Sequence, residues 1–128
     1  MKRIQFIFSI LIAAAIATGF QRPGAANMDL IPKIEKTEIA SGHYQFKASL
    51  LNNKEVNFTG SYQLQTQRTG KAGTSHSSQS GEITAKPNQE IILSSSSVNI
   101  QRGDHWEVIL SIYHENTLVV SDTLTSHK

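Results

Sequence analysis

The stretch HWEVILSIYHENTLVV, residues 105–120, decides the expected fold of this chain. Apolar side chains recur there at every second position, at Trp106, Val108, Leu110 and Ile112. A period of two places such side chains on one face of a β-strand. The pair Glu115-Asn116 then interrupts the pattern before apolar residues resume. The stretch therefore predicts a β-hairpin whose inner face, including Trp106, is buried.

The same period recurs upstream, in residues 44–50 and 56–64. Short turn signals separate these stretches from one another: Ser41-Gly42, Asn52-Asn53-Lys54, Pro87-Asn88 and Gly103-Asp104. No helical period is present in this part of the chain. About seven short strands with turns every 8 to 12 residues or so are typical of an immunoglobulin-like antiparallel β-sandwich, and we predict that all-β fold.

Three segments are ambiguous at this level. Residues 31–39 predict a first strand of poor regularity. Residues 74–80 consist almost entirely of Ser, Thr, His and Gln, and they fit either a flexible loop or a polar edge strand because no apolar residue defines a face. Residues 91–100 form either one strand or two, since a run of four serines at 94–97 interrupts their apolar pattern.

The N-terminal segment has the features of a secretion signal. Lys2 and Arg3 precede a stretch from 4 to 17 that is apolar except for Gln5 and Ser9. This stretch ends before the roughly 20 residues needed to span a bilayer. We therefore predict a signal peptide at residues 1–26 and a mature domain at 27–128. Small residues also permit cleavage after Gly19.

Removal of residues 1–26 changes the charge of the protein. The full chain has 12 basic and 10 acidic residues, a balance of +2, and three of the basic residues lie in the leader. The mature chain therefore has 9 − 10 = −1. Global charge thus gives no support for nucleic-acid binding. The chain also contains no cysteine, which excludes disulfides, thiol redox chemistry and cysteine-ligated metals.

Catalytic and metal-binding patterns are weak. The five histidines form no i, i+2 pair on a strand, so they do not predict a metal centre. No Gly-x-Ser-x-Gly motif accompanies the many serines. The acidic residues of the last hairpin, Glu107, Glu115 and Asp122, are too dispersed to predict a general acid and base. We expect a binding protein that is not an enzyme and uses no cofactor.

One polar stripe is a candidate binding surface. Gln63, Gln65 and Gln67 share one face of a predicted strand and are followed by Arg68. Side chains in such a row can hydrogen-bond an extended chain, and we assign Gln63, Gln65, Gln67 and Arg68 as candidate client-binding residues. A solvated sheet face is the alternative. Residues 74–80 have two similar interpretations: a polar segment that blunts a sheet edge or an edge that accepts another strand.

A set of turn and strand residues lies between Arg68 and Leu110. It consists of Arg68, Gly70, Gly73, Gln79, Pro87, Asn88, Gln89, Ile91, Leu93, Val98, Asn99, Ile100, Asp104, Val108 and Leu110. In order and spacing this set resembles the periplasmic curli assembly inhibitors of the CsgC/CsgH type, and the resemblance covers residues 44–124. Some members of that family have a Cys-x-Cys pair where this chain has Phe58-Thr59-Gly60. A shared function therefore cannot require thiols.

The resemblance implies a function as well as a fold. It implies a periplasmic chaperone that binds a curli-type amyloid subunit and prevents its premature polymerisation. We expect the mature form to be a monomer, with neither nucleic acid nor membrane as a partner. A structural or adhesive surface module, such as a minor pilus-like subunit, remains an alternative. A carbohydrate-binding module is a weaker one, because the aromatic residue Trp106 is on the apolar register of its strand.

Overall fold

The computed structural model describes residues 29–126, which form seven β-strands. In chain order these are β1 (Leu30–Ala40), β2 (His43–Asn52), β3 (Phe58–Gly70), β4 (Gly73–Ala85), β5 (Glu90–Asn99), β6 (His105–His114) and β7 (Thr117–Thr125). Within the described residues no helix is long and apolar enough to cross a membrane. The predicted signal peptide and its cleavage sites lie outside them.

The strands form two antiparallel sheets. One sheet has three strands in the order β1-β2-β5, and the other has four in the order β4-β3-β6-β7. The predicted all-β sandwich is confirmed. The hairpin between β6 and β7 is also confirmed, and its turn residues Glu115 and Asn116 have φ angles of 52° and 65°. Two consecutive positive φ values suit a tight turn that follows the twist of the flanking strands.

The core consists of alternate side chains from both sheets. Its buried apolar members are Leu30, Ile34, Phe46, Ala48, Leu50, Phe58, Leu64, Ile83, Ala85, Val108, Leu110 and Ile112. Most lie at the even-numbered positions predicted from the alternation, while those of β4 are odd-numbered because its register with β3 pairs Gly60 with Ile83. The two-residue period of the sequence therefore directly determines which faces meet.

Trp106 differs from its predicted environment. Its ring lies on the inner face as expected, with its centroid 5.1 Å from that of Phe46. It is only half-buried, however, because an open groove between β1 and the end of β7 reaches it. The Lys36 ammonium lies 5.1 Å from the Trp106 ring centroid and 4.9 Å from that of Tyr44. The prediction of a buried tryptophan was right about the face and wrong about the depth.

The ambiguous segments all belong to regular strands. Residues 74–80 form the first half of β4, an edge strand paired with β3 over its whole length. The serine run lies within a single strand, β5, whose register shifts where Ala48 is followed by Ser49 on β2. The first strand, β1, has a register shift between Glu38 and Ala40, in agreement with its irregular sequence.

Asn52 joins two turns at one end of the sandwich. Its side chain is fully buried, and its amide donates to the backbone oxygens of Val56, Ala85 and Lys86 at 2.9 to 3.1 Å. Its side-chain oxygen accepts from the Lys54 backbone N–H at 3.1 Å. A buried amide is stable only when such partners are present. Asn52 therefore links the β2–β3 connection to the β4–β5 connection, and each of these connections joins one sheet to the other.

Asp122 makes a polar contact between the two sheets. It lies on the inner face of β7, directly opposite Leu110. Its carboxylate accepts hydrogen bonds from the backbone N–H groups of Ile34, on the edge strand of the other sheet, and of Thr123. Burial raises the pKa of Asp122 from 3.8 to about 6, although these two hydrogen bonds oppose the shift. The ionised carboxylate therefore binds the β1 edge at a cost in desolvation.

Arg68 and Asp104 form the main ion pair inside the sandwich. Arg68 Nη1 lies 3.2 Å from Asp104 Oδ2, and the side chains are 15% and 3% exposed. The same oxygen accepts the Gln101 backbone N–H at 2.9 Å. This backbone hydrogen bond, assisted by Arg68, lowers the pKa of Asp104. A Cβ at position 70 would lie only 1.8 Å from Asp104 Oδ1, so this approach requires Gly70.

We predict that Asp122→Asn stabilises the protein at neutral pH. The amide oxygen can still accept the Ile34 N–H, but no charge has to be desolvated. A carboxyl whose pKa is higher in the folded than in the unfolded protein destabilises the fold as the pH rises. The loss develops between the unfolded pKa of 3.8 and the folded pKa of about 6. The free energy of unfolding of the variant should exceed that of the parent by about 3 kcal/mol at pH 7.5 and match it near pH 3. Urea titrations across this range measure the difference, and a difference independent of pH would contradict the assignment.

We predict that Arg68→Gln lowers the melting temperature at pH 7, because it leaves the covered Asp104 carboxylate without its cation. Because the pKa of Asp104 is lowered in the folded protein, the ionised carboxylate stabilises the fold. This contribution to stability is fully present above pH 3.8 and is lost as the pH falls through the pKa of the folded state. The effect of Arg68→Gln should therefore shrink at pH 3. Gln67→Thr, on the opposite face of the same strand, is the matched control and should change stability by less than about 0.5 kcal/mol. Equal melting of Arg68→Gln and the parent at pH 7 would disprove the structural role of the pair.

Candidate binding face

The three glutamines lie together on the solvent side of the four-stranded sheet. Gln63, Gln65 and Gln67 occupy alternate positions of β3, which is flanked by β4 and β6. We call the solvent side of this sheet the outer face. Its side chains are Thr74, His76, Ser78, Ser80, Glu82 and Thr84 of β4, Thr59, Ser61, Gln63, Gln65, Gln67 and Thr69 of β3, His105, Glu107, Ile109, Ser111 and Tyr113 of β6, and Leu118, Ser121, Thr123 and Thr125 of β7.

Arg68 does not belong to this face. It follows Gln67 directly, and adjacent side chains of a strand point to opposite sides of the sheet. Its guanidinium is engaged with Asp104 on the inner side. The structure therefore brings together three of the four candidate residues and separates the fourth.

The sheet register sets the neighbours of each glutamine. Gln63 lies between Ser80 and Ser111, and its amide donates to the Ser78 hydroxyl at 3.2 Å. Gln65 lies between Ser78 and Ile109. These neighbours come from two other stretches of sequence, β4 and β6, and they extend the row of amides into a continuous polar surface with the apolar Ile109 near its centre.

A small depression lies at one end of the glutamine row. It has a volume of about 90 Å³ and is lined by Gln65, Gln67, His76, Glu107 and Ile109. Residue Gln67 is opposite both His76 on β4 and Glu107 on β6, so all three occupy one row across the sheet. The sequence analysis did not assign His76, Glu107 or Ile109 to this site. Only the strand register reveals that these three residues lie beside the glutamines of β3, because they belong to two other strands, β4 and β6.

The free edge of β4 borders the outer face. The side chains of residues 74–78 are exposed on both sides of this strand, since the segment extends past most of the core. Farther along, the side chain of Gln79 turns inward and contacts the Ser94 hydroxyl of β5 by a hydrogen bond. The edge thus has a free half and a half anchored to the other sheet.

The outer face contains no candidate metal centre within the part of the chain that the structure describes. Among residues 29–126 no three His, Cys, Asp or Glu side chains lie close enough together to hold a metal ion. The groups that the face does offer are amides, hydroxyls, one depression and an unpaired strand edge. Such groups can bind another polypeptide through hydrogen bonds.

Comparison with known proteins identifies the family of this chain. Its structure is similar to the solution structure of R. palustris CsgH, with a TM-score of 0.57 and 20% identity over 74% of this chain and 90% of that one. It is also similar to the E. coli curli protein CsgC, with a TM-score of 0.63 and 19% identity over 73% and 96% of the two chains. No curated protein matches the sequence. The sequence model of the CsgH protein family matches residues 34–124, from β1 to β7. The predicted resemblance is confirmed, and the chain belongs to the CsgH protein family.

Proposed function

We propose that this protein is a periplasmic, non-catalytic chaperone that binds curli-type amyloid subunits and delays their polymerisation. The observation that carries the proposal is the match to the CsgH family, which spans almost the whole sandwich. The similar fold of a curli protein supports it. The secretion signal predicted at residues 1–26 is consistent with a site of action outside the cytoplasm.

The outer face supplies a physical mechanism. Amyloid grows when an extended segment adds its backbone to the exposed edge of a growing sheet. A segment held against Gln63, Gln65 and Gln67, or paired with the free half of β4, has fewer groups available for that addition. Such binding needs no nucleotide and no covalent step, because it only competes with the growth reaction.

The absence of cysteine restricts the mechanism further. The chain has no thiol, so it cannot form a mixed disulfide with a client. Binding must then rest on hydrogen bonds, packing and charge alone. The proposed activity should consequently be the same under oxidising and reducing conditions.

We predict that the purified protein, residues 27–128, lengthens the lag of fibrillation of a curli-type subunit at equimolar ratio. Thioflavin T fluorescence measures the lag, with dithiothreitol and with an oxidant in parallel and with no ATP. An unrelated β-sandwich of similar size and charge is the control. An unchanged lag would reject the chaperone assignment in favour of a structural or adhesive module.

We predict that replacement of Gln63, Gln65 and Gln67 together by Thr weakens the delay. Threonine keeps a polar residue with high strand propensity but removes the amides. Stability should change by less than about 0.5 kcal/mol per site, because the side chains project towards solvent. The matched control replaces Gln45, Ser95 and Ser97 by Thr on the solvent side of the three-stranded sheet. Equal inhibition by the two triple variants would exclude the glutamine row and direct attention to the β4 edge.

A further inference from the structure

Basic residues are distributed unequally between the two sheets. The three-stranded sheet contains Lys33, Lys36 and Lys47, and two of these lie within 4 Å of a glutamate carboxylate. The four strands of the other sheet contain a single basic residue of the Lys or Arg type, Arg68, which faces inwards. Among the strand residues that the structure describes, the outer face therefore has Glu82 and Glu107 as its acidic groups and has no lysine or arginine.

A solvated protein face ordinarily mixes both signs of charge. Within residues 29–126, no lysine or arginine of the four strands projects from the outer face beside these carboxylates. The ion pairs formed within residues 29–126 include Glu35, Glu90, Asp104 and Glu115 but not Glu107. The negative charge of Glu107 is thus available to a group from another molecule.

Glu107 lies where such a group has further contacts. It lines the depression together with the amides of Gln65 and Gln67, the imidazole of His76 and the side chain of Ile109. Amide oxygens accept hydrogen bonds from a cation, and an apolar side chain packs against the methylene stem that carries it. The depression is about 90 Å³ in volume, a size that suits the end of one long side chain.

We propose that this depression binds a lysine or arginine side chain presented by an extended segment of the client. The carboxylate of Glu107 neutralises the cation, the amides of Gln65 and Gln67 accept its remaining hydrogen bonds, and Ile109 contacts the stem. Glutamines alone would hold a polar strand in any register. The charged contact fixes one register and selects segments with a basic residue among amide and hydroxyl side chains.

This inference rests on the proposed function, which it deepens by naming the feature of the client that is recognised. Charge complementarity favours a basic segment over an acidic one, because an acidic side chain would face Glu107. A neutral segment could still use the amides, but it would leave the carboxylate without a counter-charge.

The first test uses peptides as probes. Nine-residue peptides of Ser, Thr and Gln, with Lys, norleucine or Glu at the centre, are titrated into the purified protein, residues 27–128. The side-chain amide signals of Gln65 and Gln67 and the methyl signals of Ile109 are followed by NMR. We expect the Lys peptide to shift these signals and to bind at least about fivefold more tightly than the norleucine peptide, with the Glu peptide weakest. Equal shifts with all three peptides, or none with the Lys peptide, would overturn the proposal.

The second test reverses the charge in the protein. Glu107→Lys should abolish the preference for the Lys peptide and shorten the fibrillation lag that the parent produces. Glu82→Lys is the matched control, since Glu82 lies on the same face opposite Ser61 and does not line the depression. Circular dichroism melts of both variants establish that they are folded.

The outcomes separate the two proposals. A parent protein that leaves the fibrillation lag unchanged contradicts the chaperone function, whatever the peptides do. A parent that lengthens the lag, together with a Glu107→Lys variant that lengthens it as much as Glu82→Lys does, leaves the chaperone function standing and rejects the basic-residue site. Loss of the effect in Glu107→Lys alone supports both.

Discussion

The structure depends on one apolar layer between two sheets. No disulfide can hold the sandwich together, because the chain has no cysteine. The layer must therefore offset the conformational entropy of about 100 residues by burial and packing. Residues such as Phe46, Leu64 and Leu110 are almost completely inaccessible to solvent. Every strand has to direct one face towards this layer, and this requirement leaves the opposite faces free to differ.

Polar groups on the inner side act where the apolar layer ends. Asn52 joins two turns at one end, and Arg68 with Asp104 joins the ends of β3 and the β5–β6 connection at the other. Asp122 contacts the lateral edge of β1. Buried polar groups are tolerated only when their hydrogen bonds are satisfied. These contacts therefore fix how the margins of the two sheets meet, while the apolar layer provides most of the driving force.

The same arrangement leaves the outer face without a part in the apolar layer. The inner side already contains the only lysine or arginine of the four described strands, Arg68, in a structural ion pair. What remains on the solvent side is a flat array of amides and hydroxyls, with a carboxylate at one end of the glutamine row. Substitutions there do not disturb the apolar layer. Side chains of the outer face can therefore be replaced without loss of the fold.

The residues that carried the family resemblance are mainly structural. Gly70 permits the close approach of Asp104, and Asn88 has the positive φ of 61° that its turn requires. Gln79 hydrogen-bonds across to the serine run of β5. A sequence pattern made of such residues identifies the sandwich reliably, because it records the geometry of turns and margins. It does not identify the surface that meets a partner.

The sequence alone determined the fold class, the strand faces and most of the core, because a period of two is a local property of the chain. It also placed the three glutamines on one face. Only the tertiary structure decided that residues 74–80 form an edge strand, that Trp106 lies at an open margin, and that Arg68 pairs with Asp104. Likewise, His76 and Glu107 adjoin Gln67 solely through the registers of β4 and β6 with β3. Register depends on pairing between distant segments, and local alternation contains no record of which residues will be opposite one another.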